Sequence, residues 1–286
     1  MNLQQMVQLA GADPRYLKFK SPRDARVVEA MARVDRREFL PGGVYEEKAV
    51  LPFFLYCEIE DVVRNLTPQR AGEKREFTQE EAEYLFVLCK GILTLSSEAR
   101  VPVRDIAYDL WTPSIGYGQT CSEPGMVAVM VDLLELQPGQ RVLEIGTGCG
   151  YHAAVTAELV GSEGIVYSME RILPLAEMAR AHLKHHFGED HGKERVVVVY
   201  GDGSRGLPEH APFDRIYFTA GVDPKRFDSQ VFHEQLQPGG ILLFPEVIGR
   251  LIKMYKNGAG VLEERQHFGK VHFVPLVHGA LLNPSS

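Results

Sequence analysis

Three glycines on alternate positions, Gly146, Gly148 and Gly150, follow the run Val142-Leu143-Glu144-Ile145 and precede an apolar helical pattern from Tyr151. Glycine serves where the backbone turns sharply or lies against a ligand with no Cβ in the way. A buried strand, a tight turn and a helix in this order predict a ligand crevice at the carboxyl end of a parallel strand. The dinucleotide fingerprint G-x-G-x-x-G is not met, because Tyr151 occupies its third glycine position. Two later carboxylates narrow the ligand. Glu170 ends the next strand, 20 residues after Gly150 (170 − 150), where an acid accepts both hydroxyls of a ribose. Asp202-Gly203 ends the third strand and offers a carboxylate to an adenine amino group. The fourth strand, from Phe213, ends at Thr219-Ala220. Taken singly, Glu170 reads as a helix N-cap and Asp202 as a turn residue. Their joint placement after consecutive strands favours one nucleoside-shaped site. Glu144 lies inside a strand, where burial without a partner is costly. It is expected to accept hydrogen bonds from loop amides or to order the ligand.

A second constellation lies upstream, in Pro113-Ser114-Ile115-Gly116-Tyr117-Gly118-Gln119-Thr120-Cys121-Ser122-Glu123-Pro124. Glycines, hydroxyl residues and a proline ahead of a helix make a loop able to fold over the crevice. The competing reading of Ser122 is a cap for the helix that Pro124 begins. His182, His185 and His186 fall at i, i+3 and i+4 of a predicted helix. That spacing can bind a metal, but a solvated helix face is the favoured reading, and no metal is assigned. The four cysteines, Cys57, Cys89, Cys121 and Cys149, form no C-x-x-C pair. In a cytosolic context they are expected as free thiols.

The elements that must position these residues alternate from about residue 111 onward. Helices are predicted over 124–135, 151–160, 171–187 and 229–236. Strands are predicted over 141–145, 164–169, 195–200, 213–219, 239–245, 251–256 and 271–277, the last two as an antiparallel edge hairpin. This alternation specifies an α/β fold with a mainly parallel sheet covered by helices. Ahead of it, residues 22–39 carry an amphipathic helical pattern that Ser21 or Asp24 could cap, and Pro41-Gly42-Gly43 ends it. Two further helices are expected over about 52–65 and after Thr78. The chain divides into a helical N-terminal region, 1–110, and a crevice-bearing domain, 111–286. Its net charge of −7 disfavours nonspecific binding to nucleic acid or anionic membranes. No apolar run reaches membrane-spanning length, so a cytoplasmic protein is expected.

Ile115 to Pro124 resembles the I-G-x-G-Q-T-x-S-x-P motif of protein-L-isoaspartate O-methyltransferases, which are class I S-adenosylmethionine-dependent methyltransferases. Further similar stretches are Arg141 to Gly148, Tyr167-Ser168-Met169-Glu170-Arg171, Gly201-Asp202-Gly203 and Ala211-Pro212-Phe213-Asp214. Leu236-Gln237-Pro238-Gly239-Gly240, Phe273-Val274-Pro275-Leu276 and Val34-Asp35-Arg36-Arg37-Glu38-Phe39 also match. The resemblance implies a Rossmann-like fold with a seven-stranded sheet. It implies S-adenosylmethionine held by Glu144, Gly146, Thr147, Gly148, Gly150, Tyr151, Glu170, Asp202, Gly203 and Thr219. The implied reaction methylates the free α-carboxylate of isoaspartyl residues in damaged proteins or peptides. The ester then collapses to a succinimide that partly reopens to aspartate. Ser122 is the implied active-site residue, with Thr120 beside it. The rival readings are a methyltransferase for another carboxylate and a non-catalytic cofactor-binding scaffold.

This chain departs from the family pattern in three places. Roughly 60 extra residues, about 45–105, intervene before the active loop. They are a candidate lid, oligomerisation element or substrate-selecting subdomain. Gly221 to Phe227 is longer and more polar than usual, and Pro245-Glu246-Val247-Ile248-Gly249 replaces a shorter turn. His272 stands where arginine is common.

Overall fold

The computed structural model describes residues 25–40, 112–188 and 194–279. The insertion, with the helices expected in it, and the caps at Ser21 or Asp24 lie outside the described residues. Seven strands form one sheet in the order β5-β4-β3-β6-β7-β8-β9. They are β3 (Arg141–Ile145), β4 (Ile165–Glu170), β5 (Val196–Tyr200), β6 (Phe213–Phe218), β7 (Leu236–Pro245), β8 (Ile248–Lys256) and β9 (Leu262–His272). Strands β3 to β7 pair in parallel, and β8 and β9 are antiparallel. A small antiparallel hairpin, β1 (Ser114–Gly116) and β2 (Gln119–Thr120), stands apart from the sheet. The chain runs outward from β3 through β4 to β5, then returns to place β6 on the other side of β3. That reversal opens a crevice above the carboxyl ends of β3 and β6.

Side chains alternate across the sheet with period two, and the two faces are filled differently. Val142, Val166, Val198 and Tyr217 face a core shared with α1 (Ala25–Arg33), α2 (Pro124–Leu133), α3 (Tyr151–Val160) and α4 (Leu173–Phe187). Leu143, Ile145, Ile216 and Phe218 face the other core, closed by α5 (Ser229–Gln235). Helix α3 is apolar nearly all round because it is buried against both the sheet and α1. Asp214, in the Pro212-Phe213-Asp214 stretch, accepts the Arg141 backbone N–H at 2.7 Å and the Gln237 side-chain amide. It thereby ties the starts of β3, β6 and β7.

Two expected elements differ most in extent. The N-terminal helical pattern is two pieces: α1 ends at Arg33, and a 3₁₀ turn follows over Arg36–Phe39. The carboxylate of Asp35 accepts the Arg37 N–H at 3.0 Å, capping the new turn and interrupting the old helix. The last strand lies earlier than 271–277. Asn257 Oδ1 accepts the N–H groups of Ala259 and Val261, closing a tight turn that restarts the chain as a strand at Leu262. The polar stretch from Glu263 to Gln266 lacked a buried-strand signature because it forms the sheet edge. Beyond Phe273 the chain leaves the sheet: Gly221 and Leu276 bond each other's neighbourhood through Gly221 N–H to Val274 C=O and Leu276 N–H to Gly221 C=O, both at 2.7 Å. Among the described residues no helix is long and apolar enough to cross a membrane.

Candidate active site

A crevice of about 850 Å³, partly open to solvent, lies above the ends of β3, β4 and β6. The active loop lines it with Thr120 and Ser122, and the turn after β3 lines it with Gly146, Thr147 and Gly148. Glu170, Gly203 and Thr219 complete the base, and Tyr151 lines the start of α3. The C-terminal stretch Val274 to Val277 closes a further side, a role that its sequence did not signal beyond matching the family stretch.

Local backbone chemistry builds this crevice. Gly146 has φ +102°, and a Cβ there would collide with the Thr219 hydroxyl, so only glycine lets the turn pass this close to β6. The Thr219 hydroxyl donates to the Gly146 carbonyl and fixes the approach. Gly150 serves a different end. Its φ is +90°, and a Cβ would press on Leu183 and Ala179 of α4 at 3.3–3.4 Å. It permits helix packing and is not part of the crevice wall.

Glu170 is not the cap of a helix starting at Arg171, because α4 begins at Leu173 with Ile172 as its cap residue. Its carboxylate instead bridges two loops, accepting Gly148 N–H at 2.9 Å and Ile172 N–H at 3.0 Å. Burial raises its pKa despite these amides. Asp202 stands just outside the wall, between the lining residues Gly201 and Gly203. Its carboxylate accepts N–H groups from Ser204 at 2.9 Å and Gly279 at 2.7 Å. Partial burial pushes its pKa upward, but these amides outweigh that and hold it below the ordinary carboxylate range. Ser122 does not cap α2. The cap residue is Glu123, and no side-chain hydrogen bond closes the helix. The Ser122 side chain is left to the crevice.

Glu144 requires a correction. It meets neither loop amides nor the crevice but sits fully buried in β3. Its carboxyl accepts the Ser168 hydroxyl and, at 2.8 Å, the Tyr217 hydroxyl. Thr147 in the glycine turn pairs with Ser168 at 2.6 Å, and Thr156 of α3 pairs with Tyr217 at 3.0 Å. Burial pushes the Glu144 carboxyl up to about 8, with the two hydroxyls offsetting part of that rise. His152, buried beside Tyr217 with ring centroids 4.8 Å apart, is pushed down to about 3 by burial and stays neutral.

Arg36 is the site residue that the sequence left anonymous. It is fully buried, and its guanidinium donates to the carbonyls of Cys121 at 3.3 Å and Ser122 at 2.9 Å. It also lies over the Tyr151 ring, 5.7 Å from the centroid. A residue 86 positions away thus holds the active loop from beneath. Nothing in its type or spacing separates it from Arg37; only the Val34 to Phe39 resemblance points there. The three histidines of α4 are not one solvated face. Phe39 packs between the rings of His182 and His186, at 5.8 and 5.6 Å, while His185 is exposed. His182 Nδ1 lies 3.0 Å from the Cys149 carbonyl, so this face docks the N-terminal segment.

The family model described as Protein-L-isoaspartate(D-aspartate) O-methyltransferase matches residues 92–281. The chain belongs to this family. It is 42% identical over 214 residues to protein-L-isoaspartate O-methyltransferase 2 of Archaeoglobus fulgidus, covering 69% of this chain and 93% of the relative. It is 40% identical over 223 residues to the Ignicoccus hospitalis protein-L-isoaspartate O-methyltransferase, covering 76% and 96%. A Plasmodium falciparum structure described as a protein-L-isoaspartate O-methyltransferase, solved with S-adenosyl-L-homocysteine, superposes with a TM-score of 0.61. That alignment covers 97% of this chain and 99% of the other at 16% identity, and it supports the class I methyltransferase fold. The chain is therefore a methyltransferase by family and by fold. Within this family frame, two of its departures, the segments 221–227 and 245–249, lie beside each other. Val222 N–H donates to Pro245 C=O at 2.8 Å, and Phe273 N–H donates to Val247 C=O at 2.9 Å. The unusual turn at 245–249 and the polar segment after Gly221 are thus joined to the stretch that covers the crevice.

Two predictions follow from these contacts. Arg36→Met removes the charged donor beneath the active loop and leaves two carbonyls without it. It should lower stability by about 2–4 kcal/mol, read as a lower urea midpoint. For Glu144, the unfolded carboxyl ionises near ~4.3 and the folded one near about 8. Between these values the folded protein holds one more proton, so this group's stabilisation falls as pH rises and levels off above 8. The stability of the wild-type chain relative to Glu144→Gln should decline between pH 5 and 8 by on the order of 1 kcal/mol per unit. Urea titrations of both chains across that range check it; a flat difference contradicts the assignment.

Proposed function

We propose that this protein transfers a methyl group from S-adenosylmethionine to the α-carboxylate of L-isoaspartyl residues in damaged proteins or peptides. The observation that carries this reading is that Thr120 and Ser122 line one crevice together with Gly146, Gly148 and Glu170. The substrate class comes from the family and from the names of its relatives.

The residues present fit the cofactor. The turn at Gly146 brings bare backbone to the base of the crevice. Glu170 supplies an acceptor at the end of β4, where a ribose needs one. Ile145, Met169 and Leu276 give apolar surface for a base, and Thr219 and Ala220 border the other end. Thr147, Gly148, Tyr151 and Gly203 complete the proposed holding set. Glu144 acts on it through Ser168 and Thr147, and Gly150 through helix packing. Asp202 is proposed for the adenine amino group, with the Gly279 amide as its present partner.

When bound, S-adenosylmethionine supplies a sulfonium methyl open to displacement. What remains for the protein is positioning. A carboxylate with a pKa near ~4 is already ionised at neutral pH, so no general base is needed. His152 and Glu144 accordingly take no proton-transfer role. Ser122 and Thr120 hold the substrate carboxylate in line by hydroxyl and backbone donors. Arg36 fixes the carbonyls behind them and so aims the loop.

Labelled S-adenosylmethionine with paired peptides, isoaspartyl or aspartyl at one site, tests this directly. Base-labile label on the isoaspartyl peptide alone is the expected result. Label on neither peptide, with cofactor bound, overturns the substrate assignment. Ser122→Ala should lower turnover about 10- to 100-fold while S-adenosylhomocysteine affinity stays within about twofold. An equal loss in both would refute a positioning role. The insertion is proposed to limit which substrates reach the crevice, since it directly precedes the active loop. A chain lacking residues 50–104 should then accept bulkier substrates; unchanged peptide kinetics in a folded deletion sinks that idea.

A further inference from the structure

One buried polar side chain of the crevice has no part in the methyl transfer described above. His152, the second residue of α3, lines the crevice and is only 5% exposed. Neither of its ring nitrogens has a hydrogen-bond partner among the described residues. The ring packs on Tyr217 of β6 with centroids 4.8 Å apart. The Tyr217 hydroxyl is engaged with Glu144 at 2.8 Å and Thr156 at 3.0 Å. A neutral imidazole carries one N–H and one lone pair. Burying both unpaired is costly, and such a group calls for an explanation. A hydrophobic side chain of similar size would pack on Tyr217 without that cost. The imidazole at a crevice wall therefore points to a polar group of the ligand as its partner.

The order of the strands says which part of the ligand arrives there. With the adenine amino group at Asp202, after β5, and the ribose at Glu170, the end of β4, the cofactor lies along the sheet order β5-β4-β3-β6. Neighbouring strands are about 4.8 Å apart, so the amino-acid end of the molecule continues over β3 and β6. There α3 leaves the glycine turn, and His152 rests on Tyr217, two residues before Thr219 of the crevice. Helix α3 also begins there with no side-chain cap, and the positive end of a helix favours an anion. We propose that His152 donates its ring N–H to the α-carboxylate at the amino-acid end of S-adenosylmethionine. The outer torsion of a histidine is broad, so an arriving carboxylate can turn the ring towards itself. Burial pushes the imidazole down to about 3 and keeps it neutral, so the donor is held without a buried charge. The assignment deepens the cofactor reading given above and rests on it.

Calorimetric titration of the full chain with two ligands tests this. S-adenosylhomocysteine has the amino-acid end; methylthioadenosine has the nucleoside and the sulfur without it. His152→Leu should weaken S-adenosylhomocysteine about tenfold or more, the scale of one hydrogen bond to a charged group, and leave methylthioadenosine within about twofold. His152→Gln keeps an N–H donor and should recover most of the loss. The urea midpoint of His152→Leu should equal or exceed that of the wild type, because two unpaired buried groups are removed. Equal losses for the two ligands, unchanged affinities in His152→Leu, or a lower midpoint in that variant would each overturn the proposal. So would His152→Gln behaving like His152→Leu. A wild-type chain that binds neither ligand would refute the cofactor reading, and this proposal with it. Neither titration needs an isoaspartyl peptide, so failure of the substrate assignment would leave both readouts intact.

Discussion

A carboxyl group without access to water sits at the centre of the sheet, and three strands and the turn above them take their positions from it. Glu144 of β3 stands opposite Ser168 of β4 on one side and Tyr217 of β6 on the other. Both neighbours donate their hydroxyls to it. Those are the three strands whose ends make the crevice. Ser168 passes the connection to Thr147 in the glycine turn, and Tyr217 passes it to Thr156 in α3. A buried carboxyl left without partners would be costly. Register slippage of any of the three strands would strand it, so the network fixes register as well as position.

The crevice depends on a second anchor that enters from the N-terminus. Helix α1 and the turn after it share the core of α2 and α3, with Met31, Val34 and Phe39 fully buried. That packing delivers Arg36 to the underside of the active loop. A loop has little apolar surface of its own and would otherwise fray. Two carbonyls held by one guanidinium give it a fixed floor.

Much of this was legible in the chain. The run from Val142 through Tyr151 reads directly as strand, turn and helix, because three glycines and a sudden change of period leave no alternative. Helix α3 spans 151–160 as its pattern indicates. Legibility failed where a pattern had two physical sources. The polar residues of β9 read as loop, though an edge strand is polar for the same reason. Ser122 had a competing reading as a cap by position, and the cap residue of that helix is Glu123. The α4 histidines read as a solvated face, because sequence periodicity shows that a face exists but not what covers it.

What the sequence by itself determined is the order of the elements, the glycine turn, the acids at consecutive strand ends and the motif of the active loop. These are local: propensity, period and backbone freedom are properties of a short stretch. Only the tertiary structure decided that Glu144 supports the site from behind, that Gly150 serves helix packing, and that Arg36 rather than Arg37 holds the active loop. The physical reason is common to all of them. Partnership between buried polar groups is set by which strands and helices pack together, and a charge or thiol carries no mark of its partner until burial removes water as the alternative.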